Sequence, residues 1–161
     1  MPEIATFECS DVRISVPVPM LRALLSTVLA DEQHPATPTA PQVPQIAAHE
    51  HYAGIKLDAE TGEPIGHLVV IAIADKRRTW QEQKKWAESV GGRLPDRQEG
   101  PVLYGNLKRL FEDAYYWLDT EYSADYAWGQ DFYGGTQYYY DKDYEAFAVA
   151  VRLIPITNSS I

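Results

Sequence analysis

The chain has 161 residues, a single cysteine and a formal net charge of -9 at pH 7. This length suits one compact domain with an extension, and the lone Cys9 excludes an internal disulfide and a cysteine-rich metal site. The acidic balance argues against nucleic acid as a partner, because nucleic-acid binding draws most of its affinity from clustered Lys and Arg.

Residues 1–32 predict a strand followed by a short amphipathic helix. Val12, Ile14 and Val16 alternate with polar residues, as in a half-buried strand, and Pro19 suits a first helical turn. Such a helix is too short to be stable alone, so we expect this segment to anchor the chain or to make it oligomerise, with a trimer as the expected assembly. The residues expected to mediate self-association are Leu21, Leu24, Leu25 and Val28.

Residues 33–48 predict a proline-rich linker. This segment has almost no charge, and its prolines recur at every third position: Pro35, Pro38, Pro41 and Pro44. Polyproline II has three residues per turn, so this spacing suits a semi-rigid spacer. A disordered linker is the alternative.

The main domain is expected at residues 49–156, followed by a tail at 157–161. Residues 51–57 and 66–74 read as two strands, and the Gly62 and Pro64 between them mark a turn. The pattern therefore predicts a β-hairpin at the start of the domain. No signal peptide opens the chain and no apolar run is long enough to span a bilayer, so we expect no membrane insertion.

Two helices are predicted after the hairpin. Thr79 and Glu82 form a capping-box pattern before an amphipathic segment, and Gly91-Gly92 is expected to end that helix through positive φ angles. A second helix is predicted at residues 101–111, entered through Gly100-Pro101. The remainder of the domain is expected to be strand and turn.

Ten of the eleven tyrosines lie between Tyr104 and Tyr144. Tyr and Trp offer large, rigid contact area at low entropic cost, so their concentration indicates a recognition surface rather than a catalytic site. Aromatic residues are also common in strands, so a role in filling the core is the alternative. We expect one binding face with Gly134-Gly135 at its tip, and this face comprises Tyr122, Tyr126, Trp128, Tyr133, Gln137, Tyr138, Tyr139 and Tyr140.

Arg93-Leu94-Pro95, Tyr116-Trp117, the segment 120–128 and the closing segment 149–152 follow one another in a familiar order. They resemble the small bacterial and phage proteins of the DUF1566 type, within the C-type-lectin-like superfamily. The resemblance covers residues 50–155. It implies an α+β fold with two helices flanking small antiparallel sheets, and it implies that the ends of the domain lie together.

Four residues are expected to be structural: Arg93, Pro95, Trp117 and Arg152. Both arginines are expected to reach a carboxylate or main-chain carbonyls. The chain departs from the family pattern at Leu118-Asp119, at Gly100-Pro101, which is expected to interrupt a helix, and at residues 146–148. Formylglycine-generating enzymes of the same superfamily need a pair of cysteines that this chain lacks, and the ligand motifs of calcium-dependent lectins are absent.

No metal or cofactor is expected. Five aspartates crowd the aromatic segment, namely Asp119, Asp125, Asp131, Asp141 and Asp143. Calcium prefers such oxygens, so a calcium site is the alternative, but their spacing matches no known calcium loop. His49 and His51 share a strand face and lack a clear third ligand.

The expected function is that of a non-enzymatic, phage-encoded binding protein associated with the virion. Its partner would be a virion protein, a host protein or a surface glycan, and it would reside in the host cytoplasm until it enters the particle. One alternative is an intracellular inhibitor of a host defence or regulatory protein, to which acidic charge would steer it. Another is a carbohydrate-binding module, and a hydrolase or oxidase is the least supported class.

Overall fold

The computed structural model describes residues 3–9, 12–31 and 43–156. The chain divides into two compact units, residues 1–42 and 43–161, and each is described by itself. The described residues form helices and antiparallel sheets, which confirms the predicted α+β class. None of the described helices is long and apolar enough to cross a membrane.

The first unit contains a β-hairpin and a helix. Strands β1 (Ile4–Cys9) and β2 (Val12–Pro17) pair antiparallel, and helix α1 (Val18–Asp31) follows directly. The strand and helix predicted here are confirmed, whereas β1 was missed. Leu21 is half-buried. The side chains of the other residues expected to mediate self-association lie outside the described part of the chain: Leu24, Leu25 and Val28.

Most of the predicted linker, residues 33–42, also lies outside the described residues, as does the tail at 157–161. Residues 43–47, which include Pro44, have no regular structure and belong to the second unit. The second unit therefore begins six residues before the predicted start of the main domain at His49.

The first sheet of the second unit has the order β3-β4-β8. The predicted hairpin is confirmed as β3 (His51–Leu57) and β4 (Pro64–Ile73), and β8 (Val149–Pro155) pairs with the other edge of β4. Because β4 is central, its middle residues Leu68–Val70 are buried. This sheet therefore joins the beginning of the unit to its end.

The second sheet has the order β5-β6-β7 and is antiparallel. Its strands are β5 (Tyr115–Glu121), β6 (Tyr126–Asp131) and β7 (Gln137–Asp141). The segment before β8 runs along the outer edge of β5, where the Phe147 carbonyl accepts a bond from the Trp117 N–H at 2.9 Å. The second sheet holds most of the aromatic segment.

Helix α2 (Trp80–Ser89) has the predicted capping box, in which the Glu82 carboxylate accepts the Thr79 N–H at 3.0 Å. Its buried residues fall at three- and four-residue spacing, as expected for one helix face against a core: Trp80, Gln83 and Ala87. Of the two glycines after the helix, only Gly91 has a positive φ, of 85°. At Gly92 the constraint is space, because a Cβ there would lie 2.6 Å from Ile71 Cδ1.

Helix α3 (Glu99–Leu107) starts two residues before the predicted position and passes into a 3-10 turn at Lys108–Leu110. It begins early because the Asp96 carboxylate accepts the N–H groups of Gln98 and Glu99 at 2.9 and 3.0 Å, as a capping residue does. Gly100 and Pro101 lie in the first turn, where proline is tolerated. Gly100-Pro101 therefore lies at the entry of the helix, as predicted.

The core of the second unit consists of two clusters. One is built around β3, β4, β8 and α3 and includes the Tyr116 and Phe132 rings; the other joins α2 to β5 through Trp80 and Trp117. The ends of the unit are connected by Arg152, which donates two bonds to the Glu50 carboxylate at 2.9 and 2.8 Å. The Arg152 bond lowers the pKa of Glu50 to about 2.

Candidate functional site

The aromatic residues of the second sheet lie on both of its faces. In β6 and β7 the register pairs Trp128 with Tyr139 and Ala127 with Tyr140. Successive side chains of a strand point to opposite faces. Tyr139 therefore lies on one face with Trp128, and Tyr138 and Tyr140 lie on the other.

We call the first of these the Trp128 face. Tyr122 and Tyr139 stack with ring centroids 3.8 Å apart and planes 5° from parallel. Trp128 meets Tyr139 edge-on at 5.3 Å, and Tyr126 does the same at 6.0 Å. The face is a connected ring cluster at the surface, made of Tyr122, Tyr126, Trp128, Gln137 and Tyr139.

Arg97, just before α3, completes the Trp128 face. Its guanidinium lies 3.6 Å from the centroid of the Trp128 ring, in a cation–π arrangement. Its Nε donates to the Gln137 side chain at 2.9 Å, and the Gln137 amide donates back to the Arg97 carbonyl at 2.8 Å. These bonds hold β7 against the start of α3, and the sequence pattern gave no sign of them because 40 residues separate the partners.

The opposite surface is the Tyr140 face, made of Tyr115, Trp117, Tyr138, Tyr140 and Tyr144. Tyr140 stacks on Tyr144 at 5.0 Å and meets Tyr115 edge-on at 4.8 Å. Trp117 is fully buried below these rings and donates its indole N–H to the Arg78 carbonyl at 3.2 Å. The Tyr140 face thus changes from core at Trp117 to exposed surface at Tyr138, which is 61 % exposed.

Gly129 positions the Tyr140 face. A Cβ at Gly129 would lie 2.1 Å from the Tyr115 ring, so only glycine lets that ring lie across β6. The Tyr115 hydroxyl then donates to the Tyr138 carbonyl at 2.5 Å. Burial raises the pKa of Tyr115, so this hydroxyl stays protonated and remains a donor at physiological pH.

The turn between β6 and β7 carries Tyr133, the most exposed of the tyrosines at 74 %. The Asp131 carboxylate accepts the N–H groups of Tyr133 and Gly134 at 3.0 and 2.9 Å, and Gly135 has a φ of 81°. The turn predicted at Gly134-Gly135 is confirmed. Asp131 is used to stabilise it.

The single predicted binding face is therefore divided. Five of its eight residues form the Trp128 face together with Arg97, two lie on the Tyr140 face, and Tyr133 lies at the turn. Sequence reasoning missed the contributions of Arg97, Tyr115 and Tyr144. Strict alternation along β5 and β7 would have predicted the face on which Tyr115 lies. Arg97 and Tyr144 lie in loops, where alternation predicts nothing.

The same region is strongly acidic. Residues 115–145 contain seven acidic residues and one basic residue, Lys142. The Lys142 ammonium lies 2.8 Å from the Glu121 carboxylate and the Lys84 ammonium of α2 lies 2.8 Å from the Asp119 carboxylate, so five of the seven acidic residues form no ion pair within the described residues. Among the described residues no three His, Cys, Asp or Glu side chains are grouped as a metal site would require.

A buried ion-pair cluster lies beside the Trp128 face, at the start of α3. Glu99 is 1 % exposed and accepts two bonds from Arg93 at 2.7 and 2.6 Å, so the predicted role of Arg93 in reaching a carboxylate is confirmed. Lys56 pairs with both Glu99 and Asp96. The predicted structural residue Pro95 is buried, and its carbonyl accepts the Asp119 N–H at 2.8 Å.

The electrostatics of this cluster keep its carboxylates charged. Burial raises the pKa of Glu99, but the bonds from Arg93 and from the Asp96 N–H outweigh burial and lower it. Burial likewise opposes ionisation of Asp96, and the bond from Lys56 lowers its pKa overall. A cleft of about 240 Å³ opens beside Lys56 and Glu99, yet these two groups already neutralise each other.

No protein-family model matches this sequence, and no curated protein matches it either. The candidate site is therefore defined by its own geometry: a small antiparallel sheet with aromatic rings on both faces, placed in an acidic part of the chain.

Proposed function

We propose that this chain is a non-enzymatic binding protein and that the sheet β5-β6-β7 is its partner-binding surface. The observation that carries the proposal is the exposure of six tyrosines on this sheet and its turns. A soluble protein rarely leaves so many large rings in water unless a partner covers them, and Tyr is enriched in interfaces. The six exposed tyrosines are Tyr122, Tyr126, Tyr133, Tyr138, Tyr140 and Tyr144.

The fold of the second unit is proposed to be C-type-lectin-like. Two features support this: helices α2 and α3 accompany two small antiparallel sheets, and the bond between Glu50 and Arg152 connects the ends of the unit. Together with the sequence resemblance, they also support an origin in a phage or prophage.

A binding role is preferred to catalysis because of the state of the buried carboxylates. A general acid needs a raised pKa and a free proton, whereas Glu99 and Asp96 have lowered pKa values and accept bonds from Arg93 and Lys56. These carboxylates stabilise the start of α3 rather than act on a substrate.

A protein is the preferred partner over a glycan. Sugars stack on free ring faces, but one face of Trp128 is covered by Arg97, and Tyr122 and Tyr139 cover each other. Tyr122 and Tyr126 are nevertheless exposed, and partly covered rings of this kind suit the mixed polar and apolar contacts of a protein interface.

Virion association is the favoured setting, and an intracellular inhibitor of a host protein is the alternative. The acidic excess of residues 115–145 supports either, because it would steer the chain to a basic surface. In both settings the protein is made in the host cytoplasm. In the first it then enters the particle.

Quantitative mass spectrometry of purified particles of the encoding phage tests the proposal. We expect many copies per particle, and at least a tenfold loss when Tyr122 and Tyr138 are both changed to Ala, since each substitution removes an exposed ring from one face. Glu60→Ala, on the β3–β4 turn, is the control and should be incorporated normally. If the protein is absent from particles and forms an equimolar complex with a host protein, the inhibitor role replaces the virion role. If the double variant behaves like the control in both settings, the sheet is not the binding surface.

Self-association through the first unit is proposed as the source of multivalency. Light scattering of the full chain is expected to give a defined oligomer, a trimer by the spacing of the leucine stripe, and Leu25→Asp is expected to give a monomer because it places a charge in that stripe. Arg22→Asp, at an exposed position of the same helix, is the matched control. A monomeric wild-type chain would contradict this proposal.

A further inference from the structure

We propose that the outer edge of β7 is a docking site for an extended, cationic segment of a partner protein, which adds to the sheet as a fourth strand. The inference rests on the proposed function and names the class of partner. Three observations support it. The main-chain groups of alternate residues in β7 point away from β6, no segment within the described residues bonds to these groups, and the sheet region is acidic.

The bonds at the two ends of the β6–β7 ladder show which residues of β7 are hydrogen-bonded to β6. The Asp131 N–H donates to the Thr136 carbonyl at 2.8 Å at one end, and the Lys142 N–H donates to the Asp125 carbonyl at 2.9 Å at the other. In an antiparallel pair, bonded residues recur at every second position. The residues of β7 that bond to β6 are therefore Tyr138 and Tyr140.

The intervening residues Gln137 and Tyr139 consequently point their N–H and C=O groups away from β6. Neither group bonds to another main-chain group in the described residues. Their spacing of two residues is the one with which an added strand forms its ladder. The outer edge of β7 thus has the donors and acceptors that an extended segment needs.

The outer edges of β5 and β8 form main-chain bonds with a neighbouring segment. Phe147 lies along β5, as its bonds with Trp117 and Tyr115 show. Arg93 exchanges two main-chain bonds with Val151 of β8, at 3.0 and 2.8 Å. On β3, helix α3 packs beside Gly54, where a Cβ would lie 3.3 Å from the Asn106 side chain, and the Ala53 carbonyl accepts that side chain at 2.7 Å. Within residues 43–156, the outward N–H and C=O groups of Gln137 and Tyr139 have no main-chain partner, and the chain at Arg97 meets β7 through the Gln137 side chain.

The sequence of β7 lacks the features that normally block an open edge. Proteins protect such edges with Lys, Pro or a bulge, and β7 reads Gln-Tyr-Tyr-Tyr-Asp with regular pairing to β6. Its rings also lie on both faces, with Tyr139 on one and Tyr138 and Tyr140 on the other. The alternating side chains of an added strand would therefore contact rings on both faces.

Charge identifies the occupant as cationic. The sheet segment 115–145 has seven acidic residues against Lys142 alone, and the Arg97 guanidinium on Trp128 is an example of a cation held on a ring of this sheet. Arg or Lys side chains of a partner could make the same contact with Tyr138 and Tyr140. Pairing of β7 with a second copy is disfavoured because it would bring two acidic sheets together.

Peptide binding to the full-length protein tests the proposal. The probe is a heptapeptide of alternating Arg and Val, with a matched peptide in which Glu replaces Arg. Two further probes carry N-methyl groups on either the odd or the even residues, so that only one of them can still form main-chain bonds to β7. We expect the Arg peptide and one methylated form to bind by calorimetry, the other methylated form to bind at least tenfold more weakly, and the Glu peptide not to bind.

Variants of β7 give an independent readout. Tyr139→Pro removes the outward N–H without removing a ladder bond to β6, and Tyr139→Thr removes the same ring while it keeps that N–H. We expect at least tenfold weaker peptide binding for Tyr139→Pro than for Tyr139→Thr, with both variants folded by circular dichroism. Tyr140→Ala should weaken binding about fivefold through loss of a cation–π contact.

Three results would overturn the proposal: no binding of the Arg peptide tighter than about 1 mM, equal binding of the two methylated forms, or a homodimer that Tyr139→Pro dissociates. Suppose that the Arg peptide does not bind, while the Tyr122 and Tyr138 double variant is still lost from purified particles. The proposed function then stands and the β7 inference is wrong. If the double variant also has no effect, the proposed function itself has failed.

Discussion

Replacing Glu99 with Gln is expected to lower the free energy of unfolding by about 3 kcal/mol, since it breaks a buried ion pair by removing one partner. Glu99 is 1 % exposed and accepts bonds from Arg93, from Lys56 and from the Asp96 N–H. Gln has the same shape but no charge, so it removes the carboxylate that Arg93 is bonded to and one of the two carboxylates that Lys56 pairs with. For a unit of this size the melting temperature should fall by about 10 °C.

The control for this variant is Glu121→Gln. Glu121 pairs with one cation, the Lys142 ammonium at 2.8 Å, and its side chain is exposed. Solvent screens such a pair, so its loss should have a much smaller effect on stability. Urea unfolding followed by circular dichroism measures both variants. An equal loss of unfolding free energy in the two variants would show that burial does not make the Glu99 ion pairs more important for stability than an exposed pair.

The same cluster contributes to the response to acid. The folded-state pKa values of Glu99 and Asp96 are lowered, so their contribution to stability is present above the unfolded value, 4.5 for Glu, and is lost as pH falls through the folded values. The wild type should therefore lose stability below about pH 4.5, and more steeply than Glu99→Gln, which lacks one of the two carboxylates.

Much of the secondary structure could be predicted from local signals. The hairpin β3–β4 follows from two apolar runs around Gly62 and Pro64, and α2 follows from the capping box at Thr79. Each signal lies within a few residues of the element it defines. The predicted start of α3 is two residues late, because proline suits a first helical position whereas the cap is supplied by Asp96, earlier in the chain.

The candidate site was predicted less well because it depends on long-range contacts. Composition identified residues 104–144 as the aromatic region, but the division into two faces depends on the register of β6 with β7 and on the bulge in β5. Arg97 reaches Trp128 from the start of another element. The open edge of β7 depends on which segments cover the other strands, and a single sequence does not contain that information.

Trp117→Ala is expected to be among the most destabilising substitutions in the protein. Trp117 of β5 is fully buried in the core cluster that contains α2, and its indole N–H donates to the Arg78 carbonyl. Truncation of such a ring costs about 3–5 kcal/mol because it leaves a cavity and removes the apolar contacts. Trp117→Phe should cost less, since it keeps part of the volume.

The matched comparison is Trp128→Ala, the same chemical change on the opposite face of the same sheet. Trp128 is half-buried and contacts Arg97, Tyr122 and Tyr139 at the surface, so its loss should cost about 1 kcal/mol. If the proposed binding surface is right, Trp128→Ala should weaken partner binding while the protein stays folded. Trp117→Ala should instead lower the midpoint of urea unfolding. Similar unfolding midpoints for the two variants would mean that Trp128 is as much a part of the core as Trp117, and Trp128 would then not belong to the proposed interface.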